Sequence, residues 1–557
     1  MKKKIVCVLF ILSMASALLS GCNGNGGSGE SAGGGEGGGS ASVSDEKVTI
    51  TLGLPQNANV TSYDDNALTK YLEESLNVDL EFVYFAGTSA EYSQQLTLMA
   101  SGREKLPDVL WGFDGLDHYA MNEFGEDGYF RDLTDLLKNY GHYYWEQFNK
   151  LPESDQKDIT NKGTNTHTGA FYGMPMLTLM AMDNLQNNMY INQKWLNKLG
   201  LKAPANVDEL YDVLKAFATK DPNGNGVADE IPLLSKAGGA QDISAYIINA
   251  FVHYDTLNPF NVKNGKLWDP VSTGEYRSAL IYANKLCSEK LLSELSYSLS
   301  STSEFVSLIT PADGIAKVGL WCGHPAVWSS PSTTLLKEYT AIPALSDKTG
   351  LGGYTVIRPN TLSYCSYITK DCKYPERAMQ LLDFFYKDET VTRVRHGEKE
   401  VDWVYDEKGG LNGNGTNSTI KRLGSDAAFF SGNRTWCRNG NSIMTDANYL
   451  TIITGSEGRQ AEVDRLYTES WNYQLIGKSP GELAVRLVYT DKEYEYRTGY
   501  ADLYAEYVLE SRNLFITGSK NPNDDSQWNE YLTTLKSIGQ AELLKIAQDA
   551  YTRSISP

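Results

Sequence analysis

The chain has 557 residues, with 50 Lys and Arg against 69 Asp and Glu and a formal net charge of −19. A hydrophobic content of 41% with 21% charged residues describes a globular protein, and the length calls for more than one core. The acidity excludes binding driven by phosphate contacts, which needs a positive surface, so no nucleic-acid partner is expected.

Lys2, Lys3 and Lys4 precede an apolar run over 5–19, the pattern of a secretory signal rather than a spanning helix. The run ends Leu19-Ser20-Gly21-Cys22, which resembles the bacterial lipobox. That resemblance implies cleavage after residue 21 and a mature N-terminal Cys22 carrying palmitate-type acyl chains. Residues 23–44 hold ten Gly and no large apolar side chain. They read as a flexible tether with a reach of about 25 Å. The expected location is the extracytoplasmic face of the cell membrane, held there by the lipid anchor only.

The body alternates strands and helices. Residues 48–52 form a β-branched strand candidate, 67–76 read as helical, and 77–84 alternate with period 2. A further helix over 92–101 leads to a strand at Val109-Leu110-Trp111. This order implies a parallel sheet with helices on both faces, and ligands beyond the carboxyl ends of its strands. Gln56, Asn57 and Trp111 lie in that position. Later, Asn206 with Glu209 predicts a helix start, and Leu210, Val213, Leu214 and Phe217 give its apolar stripe. Pro375 predicts another start, and 540–553 a final amphipathic helix. Beyond Cys7 and Cys22, five cysteines remain without a C-x-x-C spacing; they read as buried thiols, with a Cys365–Cys372 bridge left open.

The stretch 221–230 places oxygen-bearing side chains at Asp221, Asn223 and Asn225, with Gly226 at the turn and the Val227 carbonyl beyond. This matches the start of a calcium loop but departs from the EF-hand at its twelfth position, which is Pro232. Asp229 and Glu230 would have to close the coordination; the alternative is a plain Asn-Gly turn. Metal-binding His pairs and phosphate loops are missing from the sequence, and no catalytic residue is assigned. Paired carboxylates of a glycan-degrading enzyme stay open as an alternative.

Several ordered stretches are similar to the family-1-type extracellular solute-binding lipoproteins of bacterial carbohydrate ABC importers. They run from 96–109 through 128–137 and 169–175 to Met189-Tyr190-Ile191-Asn192-Gln193-Lys194-Trp195-Leu196, then 199–204, 312–321, 368–385, 396–403 and 515–518. Asn192 stands where many members have Arg. The resemblance implies an α/β, two-lobed, periplasmic-binding-protein-like type II fold with a hinge and an inter-lobe cleft. Lobe 1 is expected at 45–175 and 350–450, and lobe 2 at 176–349 and 451–557. The implied protein is a monomeric, non-enzymatic receptor that captures an oligosaccharide and delivers it to ABC permease subunits, with a peptide or other non-sugar ligand as the alternative. The alginate-oligosaccharide binders of this branch carry calcium at the position of the 221–230 loop. That implies structural Ca2+ held by Asp221, Asn223, Asn225, Asp229 and Glu230. For the cleft, Trp111 and Trp321 are expected just past strand ends, with Trp436 and Tyr354, as stacking faces for sugar rings. Gln56, Asn57 and His324 are the polar candidates. Trp195 and Trp403 are assigned to packing.

Overall fold

The computed structural model describes residues 46–555 except 103, 166, 180–187, 239–241, 256–258, 324–332, 356–360, 413–414, 424–431, 454–457, 477–486 and 488. Signal, Cys22 and tether lie outside the described residues, as does His324. No described helix is long and apolar enough to cross a membrane.

β1 (Val48–Pro55) and β2 (Val78–Phe85) pair in parallel over their full length, and β1 pairs in parallel with β3 (Val109–Trp111) on its other side. The crossover helices α1 (Ala67–Leu76) and α2 (Ser89–Ser101) close these units, as the periodicity predicts. Asn66 caps α1 by accepting the Leu68 N–H, and Asn77, at φ 51, ends it in the left-handed region that Asn tolerates. The sheet is mixed rather than wholly parallel. Six strands run in the order β14-β4-β11-β3-β1-β2, where β4 is Met174–Thr178, β11 is Thr361–Ile368 and β14 is Ser442–Met444. β11 enters antiparallel between β3 and β4. It brings the chain back from the second sheet, so it runs in the reverse sense.

That second sheet has four strands in the order β10-β5-β9-β6: Tyr339–Ile342, Met189–Asn192, Val318–Cys322 and Ile231–Ser235. The chain passes between the sheets three times, after β4, after β10 and after β14. Each sheet has its own core. One holds Leu52, Val109, Trp111, Tyr367 and Leu382; the other holds Ile191, Leu214, Leu233, Leu286 and Leu320. Two separate hydrophobic cores linked by chain crossings are the physical meaning of two lobes. The helix Asp491–Thr517 packs Tyr504, Val508, Phe515 and Ile516 into the second core.

The helix Val207–Thr219 buries the predicted stripe, and Asn206 caps it through the Glu209 N–H at 2.9 Å. Glu209 in turn accepts the Ala205 N–H at 2.8 Å. Asn192 has a local role as well: its Oδ1 caps the helix Gln193–Leu199 through the Trp195 N–H at 3.0 Å. Trp195 and Trp403 are buried, as assigned. Cys287, Cys322, Cys365, Cys372 and Cys437 are all free thiols, so no bridge joins Cys365 to Cys372.

Candidate functional site

The carboxyl ends of β1, β3, β4 and β14 share one edge of the six-stranded sheet. Two of the expected polar residues stand there. Gln56 is exposed immediately after β1. Asn57 donates from Nδ2 to the Cys437 carbonyl at 2.7 Å, and its N–H donates to the Tyr63 hydroxyl at 2.9 Å. This ties the loop after β1 to residues 380 positions away. Next to it, past the end of β3, Asp114 accepts from Arg438 Nη2 at 2.7 Å and from the Tyr92 hydroxyl at 2.9 Å. Arg438 also donates through Nε to the Gly112 carbonyl at 2.6 Å. The Asp114 side chain is 43% exposed and that of Arg438 17%, so this pair sits at the solvent boundary. Sequence reasoning missed both. Asp114 obeys the same strand-end rule that selected Trp111, three residues further on.

The three tryptophans do not offer the stacking faces expected of them. Trp111 is the last residue of β3, in register with Ser366, and is fully buried. Its ring meets Phe385 and Trp436, both at 5.0 Å between centroids. Gly440 lies against it so closely that a Cβ there would fall 2.1 Å from the indole. Trp436 is equally buried and donates from Nε1 to the Thr69 hydroxyl at 2.9 Å. In the second lobe Trp321 lies inside β9, stacked on Tyr190 at 4.2 Å. Every residue of β3 and β9 is buried, so a ring inside either strand stays in the core, whereas Asp114, past the end of β3, reaches the solvent boundary. These rings form the rigid base beneath the edge. Tyr354 is half-buried in the segment between β10 and β11, edge-on to His253 at 5.7 Å, with its N–H donating to the Asn249 carbonyl.

A cavity of about 720 Å3 opens between the helix α3 (His118–Glu126) of the first lobe and the start of Asp491–Thr517 in the second. His118, Tyr119, Asn122, Glu126, Tyr489 and Tyr494 line it. Asn165 at 2.7 Å, with His167 beside it, outweighs partial desolvation and holds the Glu126 carboxyl below its usual range. Such a lining of amides, carboxylates, imidazoles and tyrosines suits a polar, hydroxyl-rich solute.

The 221–230 loop lies at the amino end of β6, the end away from that strand's carboxyl terminus at Ser235. Asp221, Gly224 and Gly226 all have positive φ, which winds the loop around its own oxygens. Asp221 accepts the Gly224 and Gly226 N–H groups at 2.8 and 3.2 Å, and Asn223 and Asn225 both donate to Asp229 Oδ1. Burial acts against ionisation of Asp229, but donors from Lys317, Asn225 and Asn223 prevail and hold it low. Glu230 is the odd member. Its Oε1 is buried without a hydrogen-bond partner, and burial plus the charges of Asp221 and Asp229 raise its pKa. An orphaned carboxylate oxygen beside two further carboxylates fits a hard cation. Among the described residues no three His, Cys, Asp or Glu side chains alone could hold a metal, so Asn and carbonyl oxygens would have to complete the set.

The family model of the bacterial extracellular solute-binding protein matches residues 57–392. Among curated proteins, the chain is 28% identical over 250 residues to lipoprotein LipO of Bacillus subtilis (strain 168), covering 44% of this chain and 45% of that one. It is 21% identical over 507 residues to the fructooligosaccharide ABC transporter substrate-binding protein FusA of Streptococcus pneumoniae serotype 4, covering 88% and 87%. Thus it spans less than half of LipO but most of FusA. In structure it resembles the EF-hand mutant of FusA in complex with fructo-nystose, with TM-score 0.73 at 17% identity over 91% of this chain and 99% of that one. An HMO-binding, ABC-transporter-associated solute-binding protein from Bifidobacterium longum infantis gives 0.71 at 20% over 91% and 98%. These structural likenesses establish a two-lobed binding-protein fold, and the relatives are named as binding proteins and a lipoprotein rather than enzymes. The chain belongs to the bacterial extracellular solute-binding protein family.

Proposed function

We propose that this chain is the lipid-anchored receptor of an ABC importer, capturing an oligosaccharide between its lobes and passing it to the permease subunits. The observation that carries the reading is the likeness to FusA along nearly the whole chain, in sequence and in structure alike. Gln56, Asn57, Asp114 and Arg438 supply hydroxyl-directed hydrogen bonds from the first lobe. Tyr354, edge-on to His253, and His324 are the further contacts, and lobe closure buries the solute. Lobe 1 comprises 45–175 and 350–450, lobe 2 the remainder of the body. The lipobox at Cys22 and the likeness to a lipoprotein support the anchor, with the 23–44 tether leaving the receptor free to turn.

Calcium completes the receptor. Asp221, Asn223, Asn225, Asp229 and Glu230 would hold it with the Val227 carbonyl, and it would supply the positive charge that Glu230 lacks. Its place at the amino end of β6, and FusA's having an EF-hand to mutate, favour a structural role. Calorimetric titration of the mature chain with a panel of plant, bacterial and host glycan fragments tests the reading. Saturable one-to-one binding to a glycan is expected. Silence across the panel, with peptides binding instead, would overturn it.

A further inference from the structure

The two lobes also touch through helix α3 of the first and the start of the helix Asp491–Thr517 of the second. Helix α3 leaves the carboxyl side of β3 and begins at Asp117, whose Oδ1 accepts the Tyr119 and Ala120 N–H groups at 3.0 and 2.9 Å. The other carboxylate oxygen of Asp117 accepts the hydroxyl of Tyr494, from the opposite lobe. The Tyr494 ring stacks on Tyr119 with centroids 3.3 Å apart and planes 16° from parallel. The Tyr119 hydroxyl donates to the Tyr489 carbonyl at 2.8 Å. Two hydrogen bonds and one ring stack therefore join 117–119 to 489–494.

The second-lobe side of this junction is anchored. Thr490 caps the Asp491–Thr517 helix by a reciprocal box with Glu493, and Glu493 pairs with Arg553 on the final helix Gln540–Ile555. The tyrosines are thus presented from a fixed helix end and do not trail on a loose loop. The junction is non-covalent and sits beside the inter-lobe cavity, so it can part when the lobes separate without straining the chain.

We propose that Asp117, Tyr119, Tyr494 and the Tyr489 carbonyl form a clasp that sets how much of the solute-free protein is closed. The inference rests on the hinged receptor described above. A binding-competent closed state that is only partly populated weakens the apparent affinity by its fractional population. An aromatic pair with a hydrogen bond to a carboxylate suffices to move an open–closed ratio by about tenfold. Tyr119 and Tyr494 are positioning residues in this scheme, acting on closure.

Small-angle scattering of the solute-free mature protein tests it, with the curves fitted to open and closed populations. Tyr494→Ala is expected to enlarge the radius of gyration and move the open–closed ratio by about tenfold toward open. Tyr494→Phe, which keeps the stack and loses the hydrogen bond, should fall between. Asp117→Asn keeps a good helix cap while removing the charge, so it carries the test should Tyr494→Ala unfold. Curves for these variants that superimpose on the wild type would overturn the clasp. Because no solute is present, failure of the oligosaccharide reading would leave this result standing.

Discussion

Two Arg–Asp pairs show how differently the lobes finish their sheets. In the second lobe Asp242 caps the helix Ile243–Asn249, all seven residues of which are buried, and pairs with Arg512, whose side chain is 1% exposed. That helix covers the region beyond the carboxyl end of β6, since the Ile243 N–H donates to the hydroxyl of Ser235. In the first lobe the pair is Asp114 with Arg438, at a boundary where Gln56 and Asn57 also emerge. Beneath both edges lies a layer of large rings, Trp111 with Trp436 on one side and Trp321 with Tyr190 on the other. The same aromatic base therefore supports one edge covered by a buried helix and one whose polar groups reach the solvent boundary. Burial separates the arginine sealed into the fold from the one at the solvent boundary.

The sharpest way to break this contrast is to remove each arginine. Arg512→Ala strands a buried carboxylate and should cost about 3–5 kcal/mol in a urea titration. A loss below 1 kcal/mol would mean that the second edge is open to water. The rule for buried groups extends to His396 in the first lobe. Burial, with the charges of Arg395 and Arg422, lowers its pKa to about 3 although its Nε2–H donates to the Tyr449 carbonyl. A depressed histidine stabilises the fold fully above its unfolded value near 6.5, and that stability drains as pH falls toward the folded value. The expected loss between pH 7 and pH 5 is about 2 kcal/mol. Denaturant titrations at the two pH values should show it, and His396→Gln should flatten the difference.

A smaller effect concerns the opposite end of the second lobe. Calcium at ten times its dissociation constant should add about 1.4 kcal/mol, seen as a fall in melting temperature on chelation. An unchanged melting temperature would leave the 221–230 loop as a plain turn. Least in stability is Arg438→Ala, expected within about 1 kcal/mol because the pair it breaks is at the surface. Its affinity for the bound glycan should nevertheless drop about tenfold, since a solvent-facing donor is lost from the site. Equal affinity in that variant would remove Arg438 from the recognition edge.

Much of the secondary structure was legible because it is encoded locally. The period-2 run of β2, the Asn206 and Pro375 helix starts and the stripe of Val207–Thr219 each follow from a few neighbouring residues. The antiparallel insertion of β11 was not, since it depends on where the chain returns from the other lobe. The site was legible to within a few residues only. A strand-end rule finds the edge but cannot tell Trp111, whose ring turns inward, from Asp114, whose carboxylate turns out. The long-range partners of Asn57 and Asp114, the Cys437 carbonyl and Arg438, lie 380 and 324 residues away, beyond any local pattern.

Hydrogen exchange on the mature protein, with and without a glycan that binds, tests the central claim most directly. Capture between the lobes predicts slower exchange in the segments 56–63, 112–119 and 435–441, with the outer helix Gln540–Ile555 unchanged. Protection confined to that helix, or to the 221–230 loop, would place the solute elsewhere and contradict the account.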